Sequence, residues 1–362
     1  MAYQSPKIAG ITAEQMSVAE TFNVEAPQAA MTWGLPQGHQ WAHLVPEMKE
    51  YSFPIDALSR FLTWLWSMLS EDSFANIWGP TGSGKTQFVQ QVFARLNWPI
   101  ISVDISEETD VRDLLGGMQL RDGDTTPVPG PFAIAAMNGF AVVAEEFDRM
   151  DPRKTVGLNG VLRGGPVRLV EDSDTVYRRS AGFKVIATSN TNMGRDVFGN
   201  YVGGKHDLST IDGRFPLYLG YLAPEVEVPM LLGAAPEDIR DDAAFKQLVG
   251  KVVDLANGIR SRFEDGDCDF TMSTRMLLRW TAAALMFEGS ARRAKMAPAL
   301  YSLNATFADG LDAENRTTLF EAYQLAFGED PAQFDSALVT LGRNQYRSGG
   351  GQHPGAGGME GR

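Results

Sequence analysis

The stretch GPTGSGKT, Gly79 to Thr86, constrains this chain more than any other eight residues in it. Small residues let consecutive backbone N–H groups turn inward around an anion, the lysine reaches the outer oxygens, and the last hydroxyl faces a divalent cation. Such a loop belongs between a strand and a helix, because the helix N-terminus adds its dipole to the anion site. Both flanks are present: FANIW ends at Trp78, and TQFVQQVFARL opens at Thr86 with helical spacing. Gly79, Pro80, Thr81, Gly82, Ser83, Gly84, Lys85 and Thr86 are therefore the expected nucleotide-binding residues, with Mg2+ at Thr86.

The flanks continue into a regular pattern. The apolar runs FANIW, PIISVD, GFAVVAEE, FKVIATSN and FPLYLGYL alternate with helical segments, which predicts an α/β unit with a buried parallel sheet and helices on both faces. VRLVEDSDTVYRRSAGF, from Val167 to Phe183, alternates and turns at Asp172 to Asp174, and reads as a hairpin inserted before a core strand. After Pro229 strand patterns stop, and residues 236–328 have helical periodicity throughout. The expected division is an irregular N-terminal arm over 1–50, a nucleotide-binding domain over 51–228, a helical domain over 229–335 and a Gly-rich disordered tail over 336–362. A helix is expected to begin near Pro54, and the arm carries Phe22, Trp33 and Trp41 to pack on a core it does not form.

Charge narrows the function classes. A net charge of -13 opposes a sequence-independent grip on phosphate backbones, so nucleic acid is a disfavoured partner. Cys268 is the only cysteine, which excludes an internal disulfide, and His39, His43, His206 and His353 form no metal-ligand set with recognised spacing. The chain shows neither a basic leader with an apolar run nor an 18-residue uncharged apolar stretch, and the expected location is cytoplasmic, without membrane contact.

Hydrolysis needs more than phosphate binding. AVVAEEFD delivers Glu145 and Glu146 from the end of a buried strand, one carboxylate suited to a metal and its waters, the other to the attacking water. Asn190 ends FKVIATSN and is placed to bring an amide beside a γ-phosphate, although a turn asparagine satisfies the same pattern. Arg214, before the last strand, suits an arginine finger acting on a neighbouring subunit, and Arg275, opening a helix of the second domain, suits a nucleotide sensor. Taken singly, either arginine serves equally well as a surface ion-pair partner.

The order GPTGSGKT, AVVAEEFD, VIATSNTN, DGRF and MSTR resembles the AAA+ ATPases, with the spacing of the MoxR branch, and is similar within it to the CobS-type small subunits of aerobic cobaltochelatase. Local echoes are QVFARLNWPIISVDI, PGPFAIAA, MSTRMLLRW, YQLAFGED and the N-terminal AETFNVEAP, so the resemblance covers about residues 17–330. It implies an αβα sandwich with a five-stranded sheet of order 5-1-4-3-2, a helical lid and a hexameric ring with ATP bound between subunits. By position, Lys85 and Thr86 bind phosphate and Mg2+, and Glu145 stands where an aspartate is usual. Glu146 is then the base, Asn190 the first sensor, Arg214 the finger and Arg275 the second sensor. The loop Gly116 to Pro129 and the hairpin tip near Asp172 to Asp174 are implied to face the pore or upper surface. The implied partner carries a von Willebrand A domain, and the implied client activity is insertion of cobalt into a corrin. A CobS-like ATPase serving another client, for instance one encoded by a phage, and a nucleotide-gated scaffold with little hydrolysis are the alternatives.

Overall fold

Five short apolar segments carry the first half of the chain: β1 (Phe74–Trp78), β2 (Ile100–Asp104), β3 (Ala141–Glu145), β4 (Lys184–Ser189) and β5 (Arg214–Tyr218). All pair in parallel in the order β5-β1-β4-β3-β2, which is the 5-1-4-3-2 sheet expected. Central strands of a parallel sheet are apolar on both faces because helices cover both. Here Ala75, Ile77 and Ile186 pack under Phe61, Trp64, Phe88 and Phe93, while Phe74, Val142 and Ala144 pack under Phe132, Phe147 and Leu158. The computed structural model describes residues 13–25, 29–33, 41–121, 123–169, 171, 174–180, 182–194 and 205–328, which fall into two compact units divided between Leu222 and Ala223.

The first unit departs from the sequence expectations in two places. The N-terminal arm, expected as irregular, contains a ribbon in which Ala13–Ser17 pairs antiparallel with Ala29–Trp33. Ser17 then caps the short helix Val18–Phe22 by accepting the Glu20 N–H, and Phe22 is buried edge-on to Phe53 at 5.2 Å. A single turn of helix is too short to show a period, so its anchoring is tertiary and escapes pattern reading. Gly116–Pro129, expected as a loop, is a hairpin whose register runs from Gly116↔Pro129 to Arg121↔Asp124. Its glycines, prolines and threonines hide the alternation by which a strand is recognised.

The second hairpin lies where it was expected, before β4, but is short: only Val167–Arg168 and Val176–Tyr177 pair. Glu171 ties the two hairpins together, accepting from Arg112 Nη1 at 2.7 Å and from the Met118 N–H at 2.7 Å. Tip residues 172 and 173, His39, His353 and the tail 336–362 lie outside the described residues.

Strands stop at Tyr218, before the Pro229 limit read from the sequence, and a helix spans Pro224–Gly233 with Pro229 inside it. Helices Ala243–Glu264, Thr274–Met286, Pro298–Thr306 and Ala313–Phe327 complete a helical second unit. At its centre Glu227, 0% exposed, accepts from Arg260 Nη1 at 2.7 Å, Arg260 Nη2 at 2.8 Å and Thr274 Oγ1 at 2.6 Å.

Candidate nucleotide-binding and hydrolysis site

Parallel strands share one C-terminal edge, and functional loops of such sheets gather there. The ends of β1, β3 and β4 lead respectively into the glycine-rich loop, Glu145–Glu146 and Asn190. The loop is seated tightly: the Gly79 N–H donates to the Ser189 carbonyl at 3.2 Å, and a Cβ on Gly79 would stand 2.1 Å from the Leu219 carbonyl oxygen. Gly84, at φ +90°, makes the left-handed turn that starts the helix Lys85–Arg95.

Lys85 is 9% exposed, and its Nζ donates to the Gly79 and Pro80 carbonyls at 2.8 Å each and to Asn190 Oδ1 at 3.1 Å. The next residue, Thr86, donates from Oγ1 to Glu145 Oε2 at 3.0 Å. The structure thus joins the loop to the ends of β4 and β3 through the residues that the sequence singled out. Burial pushes the Glu145 carboxyl up, donation from Thr86 draws it back, and Asp104, facing it across the β2–β3 register, pushes it up again. Thr86, Glu145 and Asp104 offer oxygen donors only, the type a hard divalent cation takes.

Glu146 stands apart from this cluster. Its φ of 54° is left-handed, a conformation that costs a glutamate about 1–2 kcal/mol and that clusters at functional sites. The turn sends the chain into the 3-10 segment Phe147–Arg149, and the half-exposed Glu146 carboxylate pairs with Arg149 Nη1.

Arg214 is not brought to this edge. Arg214 begins β5 opposite Phe74, whereas the loop follows Trp78, so about 13 Å of strand separates them at the usual rise per residue. Its Nη1 is buried without a hydrogen-bond partner among the described residues, and burial holds the guanidinium pKa below its ordinary value. Arg275 is exposed in the first turn of Thr274–Met286 in the second unit, whose start is fixed by the Ser273 cap and the Thr274–Glu227 bond.

Three contributors were missed by the sequence reading. Asp104 had a signal, an acid closing an apolar run as in β3. Tyr221 donates its hydroxyl to the Thr81 carbonyl at 2.9 Å, a contact between segments 140 residues apart that no local pattern reveals. Asp148 is completely buried two residues beyond Glu146, and a lone aspartate in a turn reads as solvated until the fold is known.

These features define a P-loop nucleotide hydrolase with the 5-1-4-3-2 sheet and a helical C-terminal unit. An AAA domain of the dynein-related subfamily matches residues 77–200, and the CbbQ/NirQ/NorQ C-terminal domain matches residues 241–325. The chain is 28% identical over 256 residues to the aerobic cobaltochelatase subunit CobS of a Sinorhizobium species, covering 69% of this chain and 74% of that protein. It is 29% identical over 216 residues to protein CbbQ of Hydrogenophilus thermoluteolus, 59% of this chain and 74% of that protein. It is 26% identical over 211 residues to the denitrification regulatory protein NirQ of Pseudomonas aeruginosa, 58% of this chain and 75% of that protein. The chain belongs to the AAA+ ATPases, in the MoxR branch; it binds ATP and has ATPase activity. Among the described residues no helix is long and apolar enough to cross a membrane.

Proposed function

We propose that this protein is a ring-forming, Mg2+-dependent ATP motor that remodels a partner complex. The observation that carries the ring is the placement of Arg214: a cation with a buried, unpartnered Nη1 lies at the strand end remote from its own phosphate loop. That position suits completion of a neighbour's site, in the manner of an arginine finger. In this reading Lys85 reaches the β- and γ-phosphates, and Thr86 and Glu145 hold Mg2+ with its waters, the cation screening phosphate charge. Glu146 takes a proton from the attacking water, Asn190 orients that water, and Arg275 reports nucleotide from the helical unit. A hexameric ring in the cytoplasm, working with a von Willebrand A-domain protein, is the expected assembly.

The client follows from similarity alone. Likeness to a cobaltochelatase subunit supports cobalt insertion into a corrin held by other subunits; likeness to CbbQ and NirQ supports the same motor applied elsewhere. Two experiments test the proposal. Arg214→Ala should bind ATP yet lose assembly-dependent hydrolysis, and regain it when mixed with Lys85→Ala subunits that contribute an intact Arg214. Full hydrolysis by Arg214→Ala alone refutes the shared site. A pull-down with Glu146→Gln held in ATP, read by mass spectrometry, should recover a von Willebrand A-domain protein. A corrin-binding subunit beside it supports chelation, and other proteins alone discard cobalt.

A further inference from the structure

Asp148 is 0% exposed, and all the hydrogen bonds of its Oδ2 run to one place. It accepts from the Asn190 N–H at 3.0 Å, the Thr191 N–H at 2.8 Å and Thr191 Oγ1 at 2.9 Å. The carboxylate thus leaves the turn that follows Glu146 and grips the backbone of the residue whose side chain meets Lys85. No backbone ladder does this work: the β3–β4 pairing ends at Ala144↔Ala187, before either loop begins. A buried carboxylate is expensive to keep, and burial does push its carboxyl up against the bonds that draw it down. A residue needed only to fill this space would be apolar, and the neighbours Phe147 and Met150, both 0% exposed, are. His206, 2% exposed, stacks on Phe147 with ring centroids 6.0 Å apart, closing the turn from another side.

We infer that Asp148 is a positioning residue for ATP hydrolysis: it locks the Asn190 amide and the Glu146 turn into one rigid unit. It touches neither nucleotide nor water itself and acts through Asn190, so the inference rests on the assignment of Asn190 to the γ-phosphate side of the site. Removing the clamp frees two loops whose separation must hold for an amide and a carboxylate to share one water. Displacements near 1 Å in such arrangements cost on the order of 100-fold in turnover.

The test uses the full-length protein and three substitutions. Asp148→Ala should lower kcat on the order of 100-fold while leaving the affinity for a fluorescent ATP analogue within about threefold, because the glycine-rich loop and Lys85 are untouched. Asp148→Asn keeps one carbonyl oxygen for the same three donors and should restore kcat to within about tenfold of wild type, a rescue that a charge-based role would forbid. Thr191→Val removes one of the three bonds and should give an intermediate kcat, which keeps the test valid if Asp148→Ala fails to fold. Wild-type turnover in both Asp148→Ala and Thr191→Val overturns the inference, as does loss of nucleotide affinity in parallel with kcat. Asn190→Ala separates the two assignments. If it turns over normally, the reading of Asn190 fails and this inference with it; if Asn190→Ala is impaired while Asp148→Ala is not, the clamp alone is wrong.

Discussion

Replacing Glu227 by alanine is expected to destabilise the helical unit by about 3 kcal/mol, at the lower end of the range for breaking a buried ion pair. Glu227 is 0% and Arg260 4% exposed, so the substitution strands a guanidinium where water does not reach. The loss is limited because Arg260 keeps two other acceptors, the Met272 carbonyl at 2.8 Å from Nε and Asn257 Oδ1 at 2.9 Å from Nη1. The double substitution Glu227→Leu, Arg260→Met leaves no stranded charge and should be less destabilised than Glu227→Ala. Native-state hydrogen exchange on the full chain reads the effect by unit: peptides from Ala243–Glu264 and Thr274–Met286 should lose protection, with β1 and β3 as the comparison. The same network holds Thr274 and Met272 on either side of the cap that opens the Arg275 helix, so local exchange there should rise first. A cost below about 1 kcal/mol, or a double variant as unstable as the single one, refutes the stranded-charge argument.

Other outcomes follow from the same geometry. Gly79→Ala puts a methyl 2.1 Å from the Leu219 carbonyl oxygen, so the loop must shift and nucleotide binding should be lost in a fluorescent-analogue titration; wild-type affinity would show that the contact is soft. Tyr221→Phe deletes the bond to the Thr81 carbonyl and should weaken nucleotide binding about fivefold, the equivalent of about 1 kcal/mol, with unchanged affinity counting against a role for the tyrosine in shaping the loop. Burial holds Lys184, whose Nζ donates to Ser70 Oγ, down at about 8 against 10.5 for a free lysine. Below pH 8 both folded and unfolded states carry the charge and the burial cost is in full force. Between about 8 and 10.5 the unfolded state binds more protons, so stability should climb with pH by about 3 kcal/mol in all. Urea midpoints from pH 7.5 to 10 should rise in wild type relative to Lys184→Met, and parallel pH profiles would remove the claim.

What the sequence made legible divides along a physical line. Core strands were readable because a doubly covered parallel strand is a run of apolar residues, and FANIW, GFAVVAEE and FKVIATSN each fall on one. Lys85 and Thr86 stood out through the glycine-rich motif that opens their helix, and Glu145 and Asn190 because each lies where a run of apolar residues stops at a polar one. Gly116–Pro129 was misjudged because a strand pair held mainly by its backbone ladder leaves little side-chain pattern. Asp148 and Tyr221 act on segments 42 and 140 residues away, and only the fold shows what such a side chain reaches.

Glu145 illustrates how a departure from a familiar pattern is absorbed by its surroundings. An aspartate is the shorter choice at this strand end, yet the glutamate carboxylate reaches the P-loop helix and accepts from Thr86 Oγ1 at 3.0 Å. The extra methylene therefore brings the carboxylate to the hydroxyl that closes the phosphate motif. The acidic neighbours that bear on it, Asp104 and Glu146, both oppose its charge, while hydroxyls of Thr86 and Ser102 support it. Hydroxyl donors orient a carboxylate without neutralising it, so the two hydroxyls offset only part of what burial and the acidic neighbours cost. A Glu145→Asp exchange shortens the reach by one methylene and leaves Asp104 in place, so the bond from Thr86 Oγ1 that the longer side chain accepts should be lost.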